Sequence, residues 1–347
     1  MKIGIMAAWN TTSGVAMHAE PVGKALREMG HKVNVFTFYK NDHHGEGITG
    51  KDESYVHRCF GTRTGTDELD ARPFFEKDYD VLLVEDVGML PVDKLNNIMP
   101  VLKKKAKIVH AVHENRMCKH SWFYQFDWDK VVYFDHRQDF LKGLYPDAEY
   151  VPFPCFPKRR GNKKEARERL GLPQHKKIVY SFDHRGYHPY YRDLPPKLKN
   201  NTILLHVLPK GAQMLEELNP TKWMMVKSQN VISTQQFDDY LFASDAMILH
   251  KFISRGHAVV SSTVYQAMGA GCPIFVPKQS DFFHDWSNEV MHYRDITALN
   301  KQLIDVLVTG SQKKKKMIEA ADKFVAKHSP EKVAKKLVDI FERLLAE

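Results

Sequence analysis

The sequence predicts an α/β protein with two doubly wound, Rossmann-like domains, and three observations lead to that prediction. Strand-like and helix-like segments alternate from the first residue, which is the pattern of a parallel sheet covered by helices on both faces. The alternation stops at a segment rich in Pro, Arg, Lys and Gly and then begins again, and 347 residues suit two domains. We expect a first domain over 1–155, a linker region over 156–175 and a second domain over 176–325.

The first half opens with one βαβ unit. Strand Lys2–Ala7 precedes an amphipathic helix over Glu20–Met29, in which Pro21 takes an early helical position, and strand Lys32–Phe38 follows. Residues 40–72 carry turn residues and are predicted to form a loop or hairpin excursion. The further predicted strands are Val81–Glu85, Lys107–Val112, Lys130–Phe134 and Glu149–Pro152.

The second half repeats this architecture after a short helix over Lys164–Leu170. Two helices, over 312–327 and 331–346, close the chain, and the last carries an apolar stripe that needs a partner surface. The C-terminal helix within 326–347 can therefore pack back on the first domain. The predicted strands of the second half are Lys177–Phe182, Thr202–Leu208, Lys222–Val226, Ala246–His250 and Pro273–Val276, with helices near 211–218, 235–243 and 263–270.

The composition, with 43% hydrophobic and 27% charged residues, is that of an ordinary globular protein. Apolar runs are far shorter than the ~20 residues of a membrane-spanning helix, and the polar residues after Met6 do not fit a secretory signal, so a cytoplasmic location is expected. The four cysteines lie too far apart to suggest a zinc site or a disulfide framework.

The net charge of +9 favours anionic partners, such as phosphorylated metabolites or acidic lipid. No nucleic-acid-binding signature accompanies the basic residues, so no nucleic acid partner is expected. The lysine clusters permit peripheral contact with an acidic membrane at its inner face. These clusters are 103–105, 158–164 and 313–316.

Polar residues follow the predicted strands of the first half at their carboxyl ends, where open parallel sheets bind ligands. Asp86 and His113 each follow a strand, and His113 can hold a hydroxyl of the acceptor or of a donor sugar. The loop after the first strand can surround a small polar acceptor or be a plain strand-to-helix turn. The loop residues singled out for the acceptor are Asn10, Ser13, Gly14 and Val15.

Cations dominate the corresponding positions of the second half, where Arg185, Lys210 and Lys251 follow strands. If the two halves face each other across a cleft, the cations of the second half and the polar residues of the first half converge on one ligand. A mostly cationic set suits a phosphate-bearing donor.

The segment from Val259 to Pro273 is the most informative in the chain. Residues Ser261, Ser262 and Thr263 can cap a helix whose backbone N–H groups hold a pyrophosphate. Gln266, about one turn later, can direct its amide to a ribose hydroxyl. The alternative interpretation of this segment is an ordinary capped helix.

No metal or dinucleotide site is predicted. The first loop carries only Gly14 where a dinucleotide fingerprint needs three glycines. Asp127 and Asp129 form a D-x-D pair of the kind that arises often by chance. His110 and His113, three residues apart across a strand end, point to different faces.

Several motifs run in one order over nearly the whole chain. Together they resemble the nucleotide-sugar glycosyltransferases of the GT-B fold, and among them the retaining family 4 type. The matching passages are Gly14-Val15-Ala16 with His18, Gly30-His31-Lys32-Val33, Tyr79-Asp80-Val81, Val112-His113-Glu114, Arg167-Glu168-Arg169-Leu170-Gly171-Leu172-Pro173, Ala243-Ser244-Asp245-Ala246 and Gln266-Ala267-Met268-Gly269-Ala270-Gly271-Cys272-Pro273.

The chain departs from that family at two elements. The paired glutamates of the family fall at Ala258 and Gln266, so neither carboxylate is present. The G-R-x-x-x-x-K element is also missing, and Arg185 is the expected diphosphate partner in its region.

The resemblance implies a GT-B glycosyltransferase of the hexosyltransferase type that moves a sugar from a nucleoside-diphosphate sugar to an unidentified acceptor, with retention and without an obligatory metal or cofactor. The donor would bind the second domain and the acceptor the first. We expect Arg185, Lys251 and the amides of 261–263 to stabilise the leaving diphosphate, with Lys210 nearby, and His113 and Asp86 to act in catalysis. The alternatives are a non-catalytic nucleotide- or carbohydrate-binding protein and a sugar-nucleotide epimerase.

Overall fold

The computed structural model of the chain contains two α/β units, each built on one parallel sheet. The structure describes residues 1–45, 47–113, 126–182, 191–208, 221–229, 231–251, 259–309 and 312–347. Contacts group Met1–Pro154, Arg255–Ser262 and His328–Glu347 into a first unit, and Cys155–Ser254 and Thr263–Lys327 into a second. Within the described ranges, no helix has both the length and the apolar character that crossing a membrane requires.

The first unit contains a sheet of seven parallel strands in the described residues, ordered β3-β2-β1-β4-β5-β6-β7. The chain builds one side of the sheet outward from β1 and then returns to β1 to build the other side. The switch in strand order therefore lies between β1 and β4, the position at which such sheets bind ligands. The strands are β1 (Lys2–Met6), β2 (Lys32–Phe38), β3 (Val56–Phe60), β4 (Val81–Glu85), β5 (Lys107–Val112), β6 (Lys130–Tyr133) and β7 (Glu149–Tyr150).

The first helix begins at Ala16, four residues before the predicted start. Ser13 Oγ accepts a hydrogen bond from the backbone N–H of Ala16 at 3.1 Å, so the loop side chain supplies the cap. Pro21 lies inside the helix rather than in its first turn. A Cβ at Gly23 would lie 2.8 Å from the Trp9 ring, so glycine lets the indole pack against the helix. The first four helices are α1 (Ala16–Glu28), α2 (Arg72–Glu76), α3 (Val92–Lys105) and α4 (Leu141–Leu144).

The second unit contains a parallel sheet of six strands in the described residues, ordered β10-β9-β8-β11-β12-β13. Its core is apolar and includes Val179, Leu204, Ile248 and Phe275. The strands are β8 (Lys177–Phe182), β9 (Thr202–Leu208), β10 (Met224–Ser228), β11 (Ala246–Ile248), β12 (Ile274–Pro277) and β13 (Met291–Tyr293). The helices are α5 (Lys163–Leu170), α6 (Pro196–Lys199), α7 (Thr234–Ala243), α8 (Ser262–Ala267), α9 (Ile296–Ile304) and α10 (Gln312–Lys327), with α11 (Pro330–Ala346) after them.

A buried ion pair joins two of the sequence motifs that carry the family resemblance. Arg167 in α5 donates from Nη2 to Oδ2 of Asp245 at 3.0 Å, and its Nε donates to the Ala243 carbonyl at 2.9 Å. The same Asp245 oxygen accepts the N–H of Ile178 at 2.9 Å. The motifs at 167–173 and 243–246 therefore hold α5 and the ends of β8 and β11 together, which is a structural role.

The closing helix α11 belongs to the first unit. Its apolar stripe is buried, and its Arg343 donates to both carboxylate oxygens of Glu149 in β7 at 2.8 Å. Lys336 lies 5.5 Å above the ring of Tyr150. The C-terminal segment thus covers the first unit at the β7 edge.

The bounds of five predicted strands are confirmed without change: Lys32–Phe38, Val81–Glu85, Lys107–Val112, Lys177–Phe182 and Thr202–Leu208. The excursion over 40–72 contains a strand that pairs in parallel with β2 rather than a hairpin. Strand β13 and helix α9 had no counterpart in the prediction. The helix predicted near 211–218 lies outside the described residues.

Candidate functional site

The carboxyl ends of β1, β4 and β5 bring three predicted segments of the first unit to one edge of its sheet. Asn10 and Asp86, which lie just beyond the ends of β1 and β4, have φ angles of +52° and +56°. Asparagine and aspartate adopt such angles more readily than other non-glycine residues, and the angles mark a sharp turn of the chain at both positions. Asp86 Oδ1 accepts the N–H of Gly88 at 3.2 Å, which stabilises this turn.

A buried His–Glu–His cluster lies at the same edge. Oε2 of Glu85, the last residue of β4, lies 2.9 Å from Nδ1 of His18 in α1 and 3.0 Å from Nε2 of His113 after β5. The side chains of His18 and Glu85 are fully buried, and that of His113 is 6% exposed. One carboxylate oxygen therefore fixes both imidazoles. Oε1 of Glu85 and Nε2 of His18 have no hydrogen-bond partner among the described residues.

Glu85 is the ionised member of this cluster. Burial opposes its ionisation, but the two imidazoles outweigh burial and lower the pKa of Glu85 to about 2. Burial lowers the pKa of His18, against the opposing effect of Glu85. A carboxylate can only accept hydrogen bonds, so each imidazole directs an N–H toward Glu85. Nδ1 is then the nitrogen of His113 that can accept a hydrogen bond.

Two phenylalanines enclose the cluster. The ring of Phe134 lies 4.4 Å from that of His18 and 4.8 Å from that of His113, measured between centroids. Phe153 lies 5.4 Å from His18. An apolar wall lowers the local dielectric constant, which strengthens the hydrogen bonds to the carboxylate.

The same cluster has the donor set of a metal site, because one ligand atom from each of its three residues lies within 4.8 Å of the others. Bonds of about 2.1 Å at tetrahedral angles would separate zinc ligands by roughly 3.4 Å. The two nitrogen–oxygen distances of 2.9 and 3.0 Å are shorter and are typical of direct hydrogen bonds. The geometry fits the hydrogen-bonded arrangement better than a metal centre.

The loop after β1 is held by hydrogen bonds to a neighbouring loop. The Asn10 amide donates to the Lys51 carbonyl at 3.1 Å and to Asp52 at 3.2 Å. Its backbone N–H donates to Glu20 at 2.7 Å, and burial raises the pKa of Glu20 to about 7. Asn10 therefore shapes the loop, while the buried Val15 packs in the core.

Gly14 is exposed and lies beside the segment that begins α8. A Cβ at Gly14 would lie 3.4 Å from Oγ of Ser262, within ordinary van der Waals contact. Ser261 is fully buried, and its hydroxyl has no partner among the described residues. The structure thus brings Gly14 and Ser262 together within the first unit.

Arg137 is a residue of this region that the sequence analysis missed. It pairs with Asp135 and donates from Nη2 to the Val259 carbonyl at 3.0 Å. It thereby fixes the backbone two residues before Ser261. Arg137 follows β6, but no motif marks it in the sequence, and its contact with Val259 spans 122 residues.

The predicted cationic site of the second unit is only partly described. Nζ of Lys251 lies 5.2 Å from the ring centroid of Phe282, and Thr263 is buried. Gln266 is half-buried, and its backbone carbonyl accepts from Arg159 at 2.8 Å. Arg185 and Lys210 lie outside the described residues.

No protein-family model matches the chain. Solved structures match it over almost its whole length. Sucrose-phosphate synthase from Thermosynechococcus elongatus aligns with a TM-score of 0.69 and 14% identity, covering 100% of this chain and 99% of that one. HepE from Anabaena, solved in complex with UDP-glucose, aligns with a TM-score of 0.66 and 10% identity, covering 99% and 100%. An α-glucosyltransferase solved with UDP aligns with a TM-score of 0.66 and 11% identity, covering 99% of this chain and 100% of that one.

These neighbours are nucleotide-sugar glycosyltransferases of the GT-B fold. The two parallel sheets with flanking helices and the long C-terminal helix of this chain match that two-domain α/β fold. At 10–14% identity the likeness defines the fold class.

Proposed function

We propose that the chain is a glycosyltransferase that transfers a hexosyl group from a nucleoside-diphosphate sugar to an acceptor hydroxyl, with retention of configuration and without a required metal. The observation that carries this proposal is the buried Glu85, which fixes His18 and His113 through one oxygen at the carboxyl ends of β4 and β5. A sheet edge at the switch in strand order is where such folds bind ligands. The GT-B fold and neighbours solved with UDP or UDP-glucose support the donor class.

His113 would bind a sugar hydroxyl in this reaction. With Nε2 directed to Glu85, Nδ1 is the ring nitrogen that can accept a hydrogen bond, and a hydroxyl can donate one to it. The Phe134 wall keeps this contact away from bulk water. Asp86, held beside the cluster in a left-handed turn, is a further carboxylate of the described residues that would contact an acceptor.

The leaving diphosphate would be stabilised by hydroxyl and cationic groups. The Ser261 hydroxyl is buried without a partner in the described residues, and Ser262 lies against Gly14, so both are suited to an anionic oxygen. Lys251, Arg185 and Lys210 would supply positive charge. Stabilising the charge that develops on a leaving group is usually the largest contribution to such catalysis.

Gln266 would replace a donor-binding glutamate of the family that the sequence resembles. Its amide can donate to and accept from a ribose or sugar hydroxyl, but it carries no charge. A donor site without that carboxylate favours a second candidate, a nucleotide- or carbohydrate-binding protein without turnover.

Turnover separates the candidates. The full chain is incubated with nucleoside-diphosphate hexoses and a mixture of acceptor glycans, lipids and small alcohols, and release of nucleoside diphosphate is measured together with the sugar product. We expect acceptor-dependent release that survives dialysis against EDTA and is lost in His113→Asn. The control is His175→Asn, the same substitution at an exposed position of the second unit.

Binding of one nucleotide without release of diphosphate would replace the transferase by the binding protein. Conversion of the donor without any acceptor would indicate an epimerase. Activity that EDTA abolishes and Zn²⁺ or Mn²⁺ restores would contradict the hydrogen-bonded description of the His18–Glu85–His113 cluster.

A further inference from the structure

The second unit has a basic face that its fold does not explain. Two cavities, of about 1150 and 560 Å³, flank α10 and share Glu319 on their walls. Lysines line both cavities, whereas Asp305 and Glu319 are the acidic residues among the lining side chains. The basic face is defined by Lys177, Lys301, Lys313, Lys314, Lys315, Lys316 and Lys323.

The lysines at the start of α10, Lys313, Lys314 and Lys315, weaken that helix. The first turn of α10 contains lysines and no acidic residue. Cations near the positive end of a helix dipole destabilise it by about 0.3–1 kcal/mol each. Within the part of the chain that the structure describes, Lys315, Lys316 and Lys323 form no ion pair. No carboxylate in the described part of the second unit therefore offsets the charge of these three lysines by an ion pair.

Apolar groups lie among the lysines. Val308, in a π-helical turn between α9 and α10, is 53% exposed. Ile304, Met317 and Ala320 line the larger cavity, and Leu307 and Ile318 line the smaller one. Lysine stems cover apolar surface while their ammonium groups extend outward, as at membrane interfaces.

We propose that the basic face binds the surface of an anionic phospholipid bilayer. Its lining residues include neither arginine nor an aromatic side chain, the residues that nucleic acid recognition uses for stacking and bidentate contacts. Lysine is a flexible point charge that suits a fluid array of headgroups. Exposed Val308 gives the face an apolar group that can enter the interface.

The test is co-sedimentation of the full chain with vesicles made of equal parts phosphatidylcholine and phosphatidylglycerol, compared with vesicles of phosphatidylcholine alone. We expect binding to the anionic vesicles only, weakening as salt is added. In Lys315→Gln/Lys316→Gln/Lys323→Gln, the affinity for anionic vesicles should fall about 100-fold, because each lysine near an anionic surface contributes about 1 kcal/mol to binding. Val308→Asn should weaken binding further.

The matched control removes the same charge from the first unit, in Lys104→Gln/Lys332→Gln/Lys335→Gln, and should bind vesicles like the wild type. Thermal denaturation checks that both triple variants are folded. Equal binding by the two triple variants, no binding by the wild type, or tighter binding to a DNA duplex than to vesicles would each overturn the proposal. No sugar donor is present, so the outcome is independent of the transferase activity proposed above.

Discussion

Oε2 of Glu85 lies 3.0 Å from Nε2 of His113, so the last residue of β4 fixes the imidazole that follows β5. The two residues are 28 positions apart in sequence and come together only because β4 and β5 are neighbours in the sheet. This contact orients the side chain proposed to touch the sugar.

Glu85→Gln tests whether that orientation matters. The substitution keeps the shape of the side chain but removes the charge, and a hydrogen bond to a charged group contributes about 1.5–3 kcal/mol. We expect kcat to fall about 10- to 100-fold with a smaller change in donor KM. In ¹⁵N-histidine NMR spectra, wild-type His113 should show a protonated Nε2, and the variant a mixture of tautomers. A normal kcat with an unchanged spectrum would remove Glu85 from the mechanism.

Lys251→Glu tests the proposed donor side. Reversal of this charge should raise the donor KM about tenfold or more and lower kcat, because a charge-assisted contact to the diphosphate becomes repulsive. Lys197→Glu, an exposed position on α6, provides the control with the same change of charge. Steady-state kinetics in which both variants match the wild type would exclude Lys251 from the site.

Arg167→Ala tests the structural interpretation of two motifs. The variant removes the 3.0 Å partner of the buried Asp245, while Lys163 still pairs with that carboxylate at 2.8 Å, and a hydrogen bond to a charged group contributes about 1.5–3 kcal/mol. We expect a marked fall in the thermal midpoint. Arg294→Ala, which removes an exposed partner of the half-exposed Asp295 in the same unit, should cost under about 1 kcal/mol. If the two variants melt at similar temperatures, Arg167 does not stabilise the second unit as described.

Stability should fall as the solution is acidified below about pH 6.5. Burial lowers the pKa of His110 to about 3 and those of His206 and His250 to about 4. These imidazoles are neutral in the folded chain but take up protons when it unfolds. Proton binding therefore stabilises the unfolded state as the pH drops from about 6.5 to 4, and the free energy of unfolding decreases. Glu20 acts in the opposite direction. Its pKa is raised to about 7 in the folded chain, so the folded state binds one proton that the unfolded state does not bind in this pH range.

Three histidines less one glutamate leave two more protons bound by the unfolded state. The free energy of unfolding therefore changes by about 3 kcal/mol per pH unit. Thermal midpoints measured between about pH 7 and pH 4.5 should decline steeply, and His206→Phe should make the decline shallower. A midpoint that stays constant over this range would mean that these imidazoles are charged in the folded state.

Apolar runs predicted the central strands well, because burial on both faces leaves a continuous hydrophobic segment such as Val81–Glu85. Strand β3 escaped prediction because its Val56, His57 and Arg58 are only partly buried at the sheet edge. Strand β13 has three residues, too few for a pattern to emerge. The start of α1 was misjudged because Pro21 resembled a first-turn proline, whereas the cap is Ser13.

Residues of the candidate site could be predicted where they follow strand ends, but not where they are identified only by contacts between distant parts of the sequence. His113 and Asp86 could be identified from their positions after buried strands. Glu85 could not, because it ends an apolar run and its partner His18 is 67 residues away. Neither could Arg137, whose contact with Val259 spans 122 residues.

The most direct test of the central claim is the thermal midpoint of the full chain with UDP, GDP, ADP, CMP or dTDP. A nucleotide at about 100 times its Kd adds about 2.7 kcal/mol to the free energy of unfolding. The proposed donor site predicts a clear rise with one of these nucleotides that shrinks in Lys251→Glu. A folded chain whose midpoint none of them raises would contradict a nucleotide-sugar donor.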